Sequence, residues 1–112
     1  MEIIYKNKKI EIHVRKVSEL GKITGLMFRK KTTNSLLFMF NRNSNMRIHS
    51  FFVFFNFLAI WADSNDRVIE WKVIKPFTLS VKPKKSFMKL IEIPMSKKNQ
   101  KILEFFVGKG KI

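Results

Sequence analysis

The sequence predicts one mainly β domain with one or two short helices. Three observations carry that reading. At 112 residues the chain has the length of a single domain, long enough to bury a core without disulfides or metals. It is 46% hydrophobic and contains 12 phenylalanines, so core material is plentiful. The apolar residues fall in short runs rich in aromatic and β-branched side chains, which suit a pleated, half-buried surface, and turn-forming residues separate the runs.

From the N-terminus, Ile3-Ile4-Tyr5 and Lys9–Arg15 read as a hairpin around Lys6-Asn7-Lys8. The second run alternates strictly. Ile10, Ile12 and Val14 point inward, and Lys9, Glu11, His13 and Arg15 point outward, the period of a half-buried strand. Ser18 to Phe28 carries Leu20, Ile23 and Met27 at spacings of three and four, which fits a short helix capped by Ser18. Gly21 and Gly25 weaken it by about 1 kcal/mol each. Leu36–Phe40 is a short apolar strand, and Asn41–Asn45 a polar turn after it.

Ile48 to Asp63 is the apolar centre, strand-forming, with a bend or break at Asn56. Asp63-Ser64-Asn65-Asp66 is a turn whose side chains bond back to their own backbone. Arg67–Lys75 follows as a strand with Ile69, Trp71 and Val73 on one face and Glu70 and Lys72 on the other. Pro76 and Pro83 bracket an irregular segment. Phe87–Ile93 is a further strand, stopped by Pro94. Ser96 caps a final helix in which Ile102, Leu103 and Phe106 form a stripe behind Lys97, Lys98 and Lys101. Gly108–Ile112 is a tail or a short closing strand. The phenylalanines are read chiefly as core, because a contiguous exposed aromatic face is costly.

The net charge is +15, from 23 Lys and Arg against 8 Asp and Glu. Residues 1–47 and 82–112 hold the excess, while residues 48–81 balance to zero, so a neutral core is expected between two cationic ends. Such a charge attracts polyanions such as nucleic acid or acidic membrane. Lys outnumbers Arg 18 to 5, which favours attraction to a backbone over bidentate base reading. A biased genome or a hot habitat is the competing explanation, since either produces Lys-rich usage without a binding role. The clusters with a candidate polyanion-binding role are Lys8-Lys9, Arg29-Lys30-Lys31, and Lys82 with Lys84-Lys85. The strongest apolar run, Phe51 to Ala62, falls short of the roughly 20 residues a spanning helix needs, and the first residues lack a secretory signal. The expectation is a soluble, cytoplasmic protein without membrane insertion.

The chain has no cysteine, which excludes disulfides, thiol catalysis and cysteine-based metal sites. Its two histidines, His13 and His49, are too few for a zinc centre. His13 reads as a surface residue, and His49 as a structural histidine or a ligand contact. Asp63 and Asp66 are explained by a turn. Glu92 stands out because it sits inside an apolar strand; buried without a partner, its carboxyl would titrate high, and such groups cluster at functional sites. Gly108-Lys109-Gly110-Lys111 lacks the spacing of a phosphate-binding loop. With no nucleophile–base pair or metal constellation, no catalytic residue, metal or cofactor is assigned and an enzyme is not expected.

Five segments, in order, resemble the domain of unknown function 192 family. They are Gly25-Leu26-Met27-Phe28-Arg29, Leu36–Phe40, the aromatic run Ile48–Phe55 similar to the family's archaeal branch, Asp63 with Asp66–Glu70, and Lys89-Leu90-Ile91-Glu92-Ile93-Pro94. Together they cover about residues 20–95. The resemblance implies a compact β-sandwich or jelly-roll-like domain with short helices, an open barrel being the neighbouring alternative, and no established activity. The chain departs from the family at Asn56 and Leu58, where relatives carry Pro and Asp, and at Phe51-Phe52, where bacterial relatives carry Lys-Asn. Two functions are compatible with these residues. One is a non-catalytic module binding nucleic acid or another polyanion. The other is a small-ligand or protein-interaction domain with an apolar pocket, His49 and Glu92 as its polar groups, and incidental positive charge.

Overall fold

The structure, a computed structural model, describes residues 1–17 and 25–108. Among the described residues, seven strands and one helix follow in chain order: β1 (Glu2–Tyr5), β2 (Lys8–Glu11), β3 (Val14–Lys16), β4 (Ser35–Ser44), β5 (Phe57–Ala62), β6 (Val68–Ile74), β7 (Phe87–Pro94) and, after a 3₁₀ turn at Lys97–Asn99, α1 (Gln100–Val107). β1 and β2 form a two-stranded sheet, and the other five form a sheet in the order β3-β4-β7-β5-β6. Among these strands β3 and β4 pair in parallel and the other pairs are antiparallel, and an isolated parallel bridge joins Ile4 to Arg67. The mainly β expectation therefore holds, as two sheets with a short helix.

The five-stranded sheet is apolar on both faces, which explains why β5 and β7 read as near-continuous hydrophobic runs. On one face Leu37, Leu58, Ile60, Ile91 and Ile93 are covered by Ile3 and Ile12 of the hairpin region and by Ile102, Leu103 and Phe106 of α1. On the other, Leu36, Phe38, Phe57, Ala59, Trp61 and Leu90 are covered by Leu26, Ile48 and Val53 from the connecting segments. The stripe on α1 is the one expected, with Lys97, Lys98 and Lys101 in solvent.

Several elements differ from the sequence expectation, each for a local reason. The hairpin turns on Lys6 and Asn7, both at positive φ (50° and 64°), so Lys8 already belongs to β2. The run Lys9–Arg15 is not one strand. The Ile12 amide donates to the Met1 carbonyl and closes the hairpin, and the chain then crosses to pair Val14–Lys16 with Ser35–Leu37 of the larger sheet. Of the helix expected over Ser18–Phe28, residues 18–24 lie outside the described residues, and Gly25–Phe28 is a turn with Gly25 and Phe28 at φ 51° and 60°. Asn41–Asn45 does not stop β4, which continues to Ser44 past an irregularity after Met39. In β6 a bulge separates the pairs Trp61–Glu70 and Ala62–Val68. Ile69 then packs with the core on the sheet face opposite Trp71. Ser96 makes no side-chain cap, since the 3₁₀ turn intervenes before α1.

The largest correction concerns the apolar centre. Only Phe57–Ala62, after Asn56, is a strand; Ile48 makes a single bridge to Val81, and Phe51-Phe52 is a turn. Ser50 causes this. Its buried hydroxyl donates to the Lys75 carbonyl and accepts from the Thr78 amide at 2.6 Å. Its backbone carbonyl accepts from both Val53 and Phe77. These bonds consume the groups that a strand would pair. Just four of the 12 phenylalanines, Phe38, Phe57, Phe87 and Phe106, are buried.

Candidate functional site

The turns at 25–28, 50–53 and 75–78 place four phenylalanines together in solvent. Phe28 is 71% exposed, Phe54 62%, Phe77 49% and Phe52 46%. Their rings form a connected series: Phe28 stacks on Phe52 at 5.0 Å and 18°, Phe52 meets Phe77 edge-on at 6.4 Å, and Phe54 meets Phe77 edge-on at 5.5 Å. Three of the four adopt positive φ, Phe28 at 60°, Phe52 at 58° and Phe77 at 58°. A bulky residue in that region costs roughly 1–2 kcal/mol, so the strain is borne in three neighbouring places by side chains that remain in water.

Cations border it. Arg29, Lys30 and Lys31 directly follow Phe28 and are exposed, and Arg29 donates from Nε to the Gly25 carbonyl at 2.9 Å. Lys75 precedes Pro76-Phe77. It lines an open groove of about 520 Å³ together with Arg47, Lys72 and Lys82. Arg47 donates to the Ser80 hydroxyl at 3.1 Å. Lys72 pairs with Glu70 at 3.3 Å. The Lys84 amide donating to the Glu70 carboxylate, aided by Lys72, holds that carboxyl below its ordinary range.

The sequence-identified cations thus divide into three places. Arg29, Lys30 and Lys31 flank the aromatic series. Lys82 lines the groove, while Lys84 and Lys85 are exposed on the loop beyond it. Lys8 and Lys9 lie on the hairpin, whose Tyr5 packs on Phe105 and Phe106 of α1, in the layer across the large sheet. The groove cations Arg47, Lys72 and Lys75 were not singled out from sequence because they stand alone between apolar residues. The exposed aromatics were missed as well. The available signal was that Phe51–Phe55 has no two-residue alternation, unlike a half-buried strand.

Glu92 defines a second location. It lies on the central strand β7, paired in register with Leu36 of β4 and Ala59 of β5, and is 5% exposed. Alternation points it to the face of Leu90, Leu36 and Phe38. Burial pushes its carboxyl up to about 8. It borders a cavity of about 80 Å³ together with Gly25, Phe38, Arg47, His49 and Phe57. His49 is exposed, and its Nδ1 accepts from the Phe51 amide at 3.2 Å. The two polar groups named from sequence therefore share one cavity. His13 is exposed on another surface, in a groove with Lys98 and Lys101.

No helix among the described residues is long and apolar enough to cross a membrane. Among solved structures, the chain is similar to a protein of unknown function from Novosphingobium aromaticivorans, with a TM-score of 0.72, 11% identity, and coverage of 90% of this chain and 75% of the other. It is also similar to a Sinorhizobium meliloti protein described as a "putative transcription regulator", with a TM-score of 0.74, 12% identity, and coverage of 90% and 82%. At these identities the likeness establishes the fold. A UPF0127 protein of Thermococcus kodakarensis is 35% identical over 78 residues, which are 68% of this chain and 49% of that protein, so the match spans about half the relative's length. Residues 3–104 match the sequence pattern of a family described as "Uncharacterized ACR, COG1430". That stretch takes in the Gly25 turn, the aromatic segment and the Glu92 strand, and on this ground the chain belongs to the domain of unknown function 192 family.

Proposed function

We propose that this protein is a non-catalytic module that binds single-stranded nucleic acid on its aromatic face. One observation carries the reading: four exposed phenylalanine rings in mutual contact, with Arg29-Lys30-Lys31 continuing directly from the first of them. Bases stack on aromatic rings irrespective of sequence, and neighbouring cations meet the phosphates. The net charge of +15 raises the local concentration of such a ligand. The bases must be unpaired, because a duplex keeps its ring faces occupied within its own stack. The predominance of Lys over Arg agrees with backbone attraction and little base reading.

Fluorescence anisotropy with a labelled oligothymidylate and a duplex of equal length tests it. The single strand is expected to bind more tightly. If Arg29, Lys30, Lys31 and Lys75 each meet one phosphate, the log–log salt dependence has a slope of about −3. Phe77→Ala is expected to weaken binding by about 1–3 kcal/mol. Equal affinity for the duplex, together with indifference to Phe77→Ala, would overturn the proposal.

A further inference from the structure

The Glu92 cavity lies on the inner side of the 25–28 and 46–53 segments, whereas the phenylalanines lie on their outer side. A carboxyl is an expensive group in the middle of an apolar sheet face, where a leucine would pack without penalty. Glu92 has no hydrogen-bond or ion-pair partner among the described residues, and it borders open space. Gly25 keeps the approach clear: a Cβ there would stand 3.2 Å from Oε1 of Glu92 and 3.6 Å from Cζ of Phe38. Its φ of 51° independently favours glycine. Among the described residues, the charged or titratable groups facing the carboxyl are Arg47 and His49 from the 46–49 segment, with Arg29 folded back on the Gly25 carbonyl behind the turn. β4 and β5 contribute Leu36, Phe38, Phe57 and Ala59, none of them charged.

We infer that this cavity binds a small uncharged ligand through an amide- or lactam-type edge, in which a carbonyl and an N–H lie side by side. A protonated carboxyl presents one donor and one acceptor at the matching spacing, so the two edges pair reciprocally and satisfy both polar groups. The apolar walls accept the ligand's hydrocarbon part. A volume of about 80 Å³ suits a molecule of a handful of non-hydrogen atoms. A cationic ligand is disfavoured by Arg47 at the rim and by the protein's net charge of +15.

Methyl-detected NMR on the full chain tests this with three five-membered rings of equal size. These are 2-pyrrolidone with both groups, γ-butyrolactone with the acceptor alone, and pyrrolidine as the ammonium. Pyrrolidone is expected to shift the methyls of Leu26, Ile48, Val53 and Leu90, which line the cavity. The lactone should bind at least about tenfold more weakly, having lost one of two hydrogen bonds. Pyrrolidone affinity should fall about tenfold from pH 7 to pH 9 as the carboxyl loses its donor proton. Glu92→Gln, which keeps a donor and an acceptor, should retain binding but lose the pH dependence, and Glu92→Leu should abolish binding. Tighter binding of pyrrolidinium that rises with pH, equal pH-independent binding of lactam and lactone, or no methyl shift with any probe would each overturn the inference. Phe77→Ala is expected to leave pyrrolidone binding unchanged, so failure here and failure of the nucleic-acid reading are separable.

Discussion

The amide of Phe28 donates to the carbonyl of Phe52 at 2.8 Å, and the two rings stack face to face 5.0 Å apart. A backbone bond and a ring contact thus join two turns distant in sequence, and both residues have left-handed φ. The geometry fixes where the side chains point and leaves them in water, an arrangement that suits a preformed binding surface better than a core.

Replacing Phe52 separates recognition from stability. Phe52→Asn places a residue tolerant of positive φ at 58° and removes an exposed ring. The strain relieved and the stacking lost, each about 1 kcal/mol, offset one another. Stability is expected to stay within about 1 kcal/mol of the parent, whereas affinity for oligothymidylate falls by about tenfold or more. Val53→Asn next to it buries an amide among Leu26, Ile48 and Phe57 and should destabilise strongly. Urea denaturation alongside anisotropy checks both; equal stability loss in the two variants would contradict the assignment of Phe52 to the surface.

Ser50 holds the aromatic turns together. Ser50→Ala leaves the Thr78 amide without its hydroxyl acceptor, while the Lys75 carbonyl loses one of two donors and keeps the Thr78 hydroxyl at 2.8 Å. The expected cost is about 1–3 kcal/mol, measured as a lower urea midpoint with an unchanged slope. The ring contacts of Phe52 and Phe77 should loosen with it, visible as averaging of their aromatic NMR shifts. A variant as stable as the parent would mean that the network contributes little.

Glu92 links stability to pH. The folded carboxyl keeps its proton to about pH 8, whereas the unfolded chain releases it near 4.5. Between those values the folded state binds more protons, so this group makes stability fall as pH rises across the window. Glu92→Gln removes the dependence. The variant should match the parent at pH 4 and exceed it progressively up to pH 8, by on the order of a few kcal/mol. Subtracting the two denaturation curves at each pH cancels the contribution of Glu70, whose shift has the opposite sign. A difference independent of pH would show that Glu92 is not buried without a counter-charge.

Much of the fold was legible in the chain because its signals are local. Continuous aromatic and β-branched runs marked strands β5 and β7 approximately and alternation marked β6, the Asp63 turn was readable from side chains that bond the next amides, and the α1 stripe followed from helical spacing. Glu92 could be singled out for the same reason, as a carboxyl inside an apolar run. By contrast, whether Lys9–Arg15 stays in one sheet depends on a partner strand some twenty residues away, and the β6 bulge depends on the register with β5.

Sequence by itself determined the mainly β character, the abundance of positive charge and the absence of cysteine chemistry, since composition and short-range periodicity carry all three. Tertiary structure alone decided which phenylalanines face water and which polar groups share a cavity. Ser50 diverts its segment from strand pairing by bonding residues on the 75–78 turn, and no pattern within that segment records the distant carbonyl and amide it will meet.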